Sequence, residues 1–108
     1  MDLTQKKCVA CEGGTSPLNQ IELDILLKQV PEWKLSTDIK TISRTFTFKN
    51  FADALAFTNK VGAIAEDEGH HPDIQLGWGK VQIELTTHAI GGLSENDLIV
   101  AAKIDQIT

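Results

Sequence analysis

No apolar run in this 108-residue chain approaches the length of about eighteen residues that a bilayer crossing needs. The amino terminus, MDLTQKKC, has no apolar core of the kind a secretion signal requires, so a cytoplasmic protein without membrane attachment is expected. Basic residues are the scarcer sign. Ten Lys and Arg stand against fifteen Asp and Glu, a formal charge of -5, which repels a phosphate backbone and argues against nucleic acid as a direct partner. There is no internal repeat, no low-complexity tract and no internal linker, which leaves one domain with a modest core. With 42% hydrophobic and 23% charged residues, the chain is neither disordered nor fibrous. Cysteine is limited to Cys8 and Cys11. A structural zinc site needs two further ligands at matching spacing, and a redox dithiol sits at the start of a helix after a strand. Neither context is present, so the pair reads as reduced thiols in a flexible segment over residues 1–16.

What is present is clear punctuation between periodic segments. Asn19 followed by Glu22 has capping-box spacing, and Ile21, Ile25, Leu26 and Val30 recur at helical intervals up to Pro31. Trp33 and Leu35 alternate with polar neighbours. After a turn near Thr37 and Asp38, residues 40–48 put Ile42, Phe46 and Phe48 on one face and Thr41, Ser43, Thr45 and Thr47 on the other, which predicts a hairpin. Asn50 and Asp53 open a second helix running to about Glu68, with Phe51, Leu55, Phe57, Val61 and Ile64 as its buried stripe and Gly69 as a left-handed cap. Period two returns over residues 73–78 and 80–88, linked by Gly77-Trp78-Gly79. In the second of these strands Val81, Ile83 and Leu85 share one parity, and Gln82, Glu84, Thr86 and His88 share the other. Ser94 and Asp97 form another capping box, with Leu93 and Leu98 as its hydrophobic staple, and a third helix carries Ala101, Ala102 and Ile104. The order helix, two strands, helix, two strands, helix implies an α+β fold over residues 17–108, a four-stranded antiparallel sheet with helices on one face. Two open sheet edges make self-association an expectation.

The three histidines, His70, His71 and His88, all fall at ends of regular elements, where sites form. Histidine exchanges protons near neutral pH, so a group of three can hold an acid and a base together. Glu66, Asp67 and Glu68 sit in the last turn of the second helix, where the macrodipole disfavours acids. Read functionally, they give a negative field that favours protonated imidazoles; read structurally, they are a solvated helix end. Pro72 biases His71 toward extended geometry, sending the two adjacent rings to different sides. His88 has the polar parity of its strand and points where the pair can meet it. Three histidines with Asp73 or Glu66 are enough ligands for zinc, but adjacent histidines rarely share an ion and no H-x-x-x-H spacing occurs, so acid–base chemistry ranks ahead of a metal. Trp78, between two glycines, reads first as cover for the core edge, and Asp97 first as a helix cap.

Glu66, His70-His71-Pro72, Trp78, Thr87-His88, Gly92-Leu93-Ser94 and Asp97, at this spacing, are similar to the signature of the pterin-4a-carbinolamine dehydratases. The resemblance covers the chain from about Pro17 onward and includes Pro31, Glu32 and Trp33; bacterial members often begin with a similar C-x-x-C-E-G-G segment. It implies an α+β two-layer sandwich assembling into homodimers or homotetramers. It also implies a lyase that removes water from 4a-hydroxytetrahydropterin to give quinonoid dihydropterin, supporting pterin recycling for a pterin-dependent aromatic amino-acid hydroxylase. Pterin is then the substrate, and no cofactor or metal is used. Carried over by position, His70, His71 and His88 are the catalytic imidazoles; Glu66, Pro72, Asp73, Trp78 and Thr87 bind or support; Ser94 and Asp97 cap a helix. Elimination needs a proton on the leaving oxygen while another leaves the neighbouring ring nitrogen. His71 is expected to donate, His88 to accept or relay, and His70 to bind and polarise the pterin. Many relatives carry an aspartate where this chain has Gly69 and some a tryptophan where it has Ile74, so help from those side chains is absent. Animal members also act as dimerisation partners of a homeodomain transcription factor, which makes a coactivator module without turnover the alternative.

Overall fold

Local capping signals set the frame. In the computed structural model, which describes residues 2–9 and 15–108, Asn19 opens helix α1 (Gln20–Leu26) through a reciprocal capping box with Glu22. Asn50 accepts from the Asp53 amide at the start of α2 (Phe51–Glu68), and Ser94 opens α3 (Glu95–Asp105). Between them lie β1 (Lys34–Leu35) and β2 (Ile42–Thr47), then β3 (Asp73–Gly77) and β4 (Lys80–Leu85). The hairpins merge through β2 and β4 into one antiparallel sheet of order β1-β2-β4-β3, so the α+β architecture is the expected one. Its register stacks Ile42 beside Leu85 and Phe46 beside Val81 on the face under the helices, all of them buried. The opposite face carries Ser43, Thr45, Gln82 and Glu84, as a half-solvated sheet requires.

Two helical stripes are rotated from their expected phase. Ile21 and Ile25 are exposed, and Leu23 is the fully buried residue of α1. Likewise Phe51 and Leu55 are exposed, whereas Ala54, Phe57, Val61 and Ala65 face inward. Both sets in α2 have helical spacing, but the alanines let the helix lie closer to its neighbours, and dense packing favours that face. Helix α3 is buried along most of its length, with α2 and the amino-terminal 3-10 turn both packed on it.

Within the stretch expected to be flexible, residues 2–9 pack against the body of the fold. Leu3, in a 3-10 turn (Leu3–Gln5), is only 1% exposed and belongs to the core. Its amide donates to Gln29 Oε1 at 2.9 Å, and Lys6 Nζ meets Glu95 at 2.6 Å. Cys11 lies outside the described residues. Among the described residues, no helix is long and apolar enough to cross a membrane.

Candidate active site

Two chain reversals bring the histidines together. At the end of α2, Gly69 adopts φ 65°, a left-handed cap that glycine takes without steric cost, and the chain turns through His70 and His71 toward β3. A Cβ at position 69 would meet no atom of non-neighbouring residues within 4 Å. The second reversal follows β4. That strand ends at Leu85; Thr87 then pairs with Gly92, its amide donating to the Gly92 carbonyl at 2.9 Å. His88 therefore begins a 3-10 turn (His88–Ile90) instead of continuing the polar face of β4, which corrects the strand placement its parity implied. A cleft of about 500 Å³ lies between the two reversals, and all three histidines line it.

The His70 side chain is 13% exposed and the His71 side chain 61%, and the two adjacent rings meet different carboxylates. The His70 Nε2 lies 2.6 Å from Oδ1 of Asp97, a carboxylate wholly buried at the start of α3. Asp97 Oδ2 accepts from the Thr87 hydroxyl at 2.7 Å and the Ser94 amide at 3.0 Å. A buried carboxylate is costly unless its lone pairs are filled, and here one imidazole, one hydroxyl and one amide fill them. An ionised carboxylate only accepts, so His70 donates Nε2–H, and Nδ1 keeps the lone pair whenever the ring is neutral. Asp97 thus does more than cap the helix: it also holds the Nε2 edge of His70. His71 Nε2–H donates to Glu66 at the exposed rim.

The three carboxylates ending α2 take different partners. Glu66 meets His71, Asp67 meets Lys7 at 3.2 Å, and Glu68 meets Lys103 at 2.6 Å while lining the cleft with the histidines. The Glu68 side chain is 2% exposed. Burial alone would raise its carboxyl, but hydrogen bonds from Lys103 and from the Cys8 amide at 2.9 Å, with the charge of Lys103, outweigh that and hold it down at about 2. The Cys8 thiol is pushed up to about 12, first by burial and then by the neighbouring Glu68 carboxylate.

A family model described as pterin 4 alpha carbinolamine dehydratase matches residues 16–107. The chain belongs to this family. It is 51% identical over 107 residues to a protein of Halorhodospira halophila named "Putative pterin-4-alpha-carbinolamine dehydratase", covering 99% of this chain and 98% of the relative. A Methylococcus capsulatus protein of the same name is 50% identical over 105 residues, 97% of this chain and 92% of its own. Among solved structures, a transcriptional coactivator/pterin dehydratase from Brucella melitensis superposes with a TM-score of 0.80 at 29% identity, covering 85% of this chain and 98% of that one. A pterin dehydratase-like protein identified as a RuBisCO assembly factor in the alpha-carboxysome superposes at 0.61 with 27% identity, over 70% and 88% of the two chains.

Not every residue of the dehydratase signature comes to the cleft. Trp78 sits exposed at the far tip of the β3–β4 hairpin, five residues beyond Asp73, which a strand extends to about 17 Å. Asp73 pairs in register with Glu84 and lines a separate, smaller depression. Pro72 is half-buried between the histidines and β3 and is absent from the lining. Conversely, the cleft is also lined by Cys8, Val9 and Asn96, the last two of which carry no periodic or motif signal in the sequence. Among the described residues, no three His, Cys, Asp or Glu side chains converge as metal ligands do.

Proposed function

We propose that the chain dehydrates 4a-hydroxytetrahydropterin to quinonoid dihydropterin and water by histidine acid–base catalysis. The observation that carries this reading is the convergence of His70, His71 and His88 on one cleft, two of them hydrogen-bonded to carboxylates. In the reaction the C4a–O bond breaks as a proton reaches the oxygen, and loss of the proton on the adjacent ring nitrogen forms the carbon–nitrogen double bond. His71, at the exposed rim with Glu66 behind it, delivers the proton to the departing hydroxyl. His88, on the separate reversal after β4, accepts or relays the ring proton. His70, held by Asp97, binds and polarises the pterin. Positioned proton transfer of this kind is worth on the order of a hundredfold or more in rate. Pterin is the substrate in this scheme and no cofactor takes part.

We further place the reaction in the recycling of a pterin used by an aromatic amino-acid hydroxylase in the cytoplasm, with the chain as a homodimer or homotetramer. Because β1 pairs only with residues 42 and 43, the outer backbone edge of β2 over residues 44–47 has no strand partner among the described residues, and such edges favour pairing with another copy. A second reading, a binding module without turnover, draws on the coactivator and assembly-factor relatives and on the exposed Phe51 and Leu55 of α2. The deciding measurement is dehydration followed by ultraviolet absorbance, with substrate generated in place and background subtracted, for the native chain beside His71→Ala. Acceleration that collapses in the variant supports the lyase with His71 as donor. A folded native chain that gives no acceleration refutes the lyase and favours the module.

A further inference from the structure

We infer that the amino-terminal segment forms a wall of the pterin cleft, with Val9 as a substrate-contacting residue and Asn96 as the residue that positions it; this rests on the dehydratase reading above. The segment belongs to neither the sheet nor a regular helix beyond Gln5, yet the Cys8 amide and both backbone groups of Val9 are hydrogen-bonded. The Val9 amide donates to Asn96 Oδ1 at 3.0 Å, and the Val9 carbonyl accepts from Asn96 Nδ2 at 2.5 Å. One side-chain amide thus grips both backbone groups of a single residue, as an antiparallel strand partner would. One residue earlier, the Cys8 amide donates to the buried Glu68 carboxylate at 2.9 Å. Glu68 ends α2 and Asn96 lies in the first turn of α3. The same two helix ends carry Glu66 and Asp97, so a single frame sets both the wall and the histidine partners.

What this grip presents to the cleft is an apolar surface. Val9 is 71% exposed although its backbone is held on both sides, and it is the largest apolar side chain among the described residues lining the cleft. The rest of the lining is dominated by three histidines, two threonines and Asn96. A flat heteroaromatic bicycle offers polar atoms at its edge and apolar faces, and sites for such ligands combine a few polar groups with an apolar wall. The polar edge is provided for by the reversals; Val9 supplies the contact for a face.

Steady-state dehydration and calorimetric binding of 7,8-dihydrobiopterin test this on the full chain. Val9→Ser is expected to raise KM and the dihydrobiopterin Kd by roughly three- to tenfold, with kcat within about twofold and an unchanged melting temperature, because an exposed side chain contributes little to folding. Val9→Ile is expected to retain the native KM. Asn96→Ala should raise KM similarly, and the double variant should be no worse than the poorer single one, since both act through the same contact. Unchanged KM and Kd in Val9→Ser would overturn the inference even if Asn96→Ala is unstable. Should the native chain bind dihydrobiopterin without turnover, the lyase fails and the wall is judged by Kd alone. A native chain that binds no pterin overturns both.

Discussion

His70 and Asp97 meet at 2.6 Å across 27 residues of sequence, joining the segment that leaves α2 to the first turn of α3. Asp97 is fully buried and both its oxygens are engaged, so it has no freedom to follow a ring that moves. In Asp97→Asn one acceptor becomes a donor. The Ser94 amide is fixed by the backbone and must keep its oxygen, which turns the NH2 toward His70 and forces the other tautomer on it. The expected outcome is a fall in kcat on the order of a hundredfold, with a smaller change in KM and a stability loss of about 1–3 kcal/mol. Absorbance kinetics beside thermal unfolding measure both, and an unchanged kcat would remove Asp97 from the proposed mechanism.

The docked amino terminus makes its own demand. Leu3 is 1% exposed and packs into the core beside α3. Leu3→Ala is therefore expected to cost about 2–4 kcal/mol in urea unfolding, the usual range for emptying a buried leucine site. A free segment would give no loss at all.

How legible these features are in the sequence depends on their range. Caps act over three or four residues, so Asn19 with Glu22, Asn50 with Asp53, and Gly69 announce the helix ends correctly. Helix phase is a tertiary property: Phe51 and Leu55 carry the stronger hydrophobic signal, but Ala54 and Ala65 permit the closer approach. Strand parity gave no warning that β4 stops at Leu85, because the diversion comes from the Thr87 pairing with Gly92. The capping spacing of Asp97 accounts for one of its oxygens and is silent on the other, whose partner is 27 residues away. Val9 and Asn96 are 87 apart, and their side-chain-to-backbone grip leaves no periodic trace.

Glu68 links the wall to acid stability. Its carboxyl falls from an ordinary 4.5 to about 2, against the effect of burial, because Lys103 and the Cys8 amide bind the charged form. A group with a depressed folded value contributes stability that is complete above about pH 5 and is lost as pH falls toward 2, on the order of 3 kcal/mol in all. The difference in unfolding free energy between the native chain and Glu68→Gln should thus shrink steadily between about pH 5 and pH 3. Parallel curves for the two proteins, measured by urea unfolding across that interval, would show that the Glu68 charge does not contribute in this way.

Cys8 lines the cleft, yet its thiol is poorly disposed to react. Burial first, and the Glu68 carboxylate second, push it up to about 12. Alkylation proceeds through the thiolate, so iodoacetamide at about pH 8 should label Cys8 in the folded protein one to three orders of magnitude more slowly than in denaturant. Peptide mass spectrometry reads Cys8 separately from Cys11. Two further changes follow from the geometry. Glu68→Gln removes the charge that opposes the thiolate and should speed labelling, whereas bound dihydrobiopterin should slow it by covering the wall that Cys8 shares with Val9. Labelling at the denatured rate would mean that the segment spends most of its time away from α2 and α3, and the Val9 contact would then lose its support.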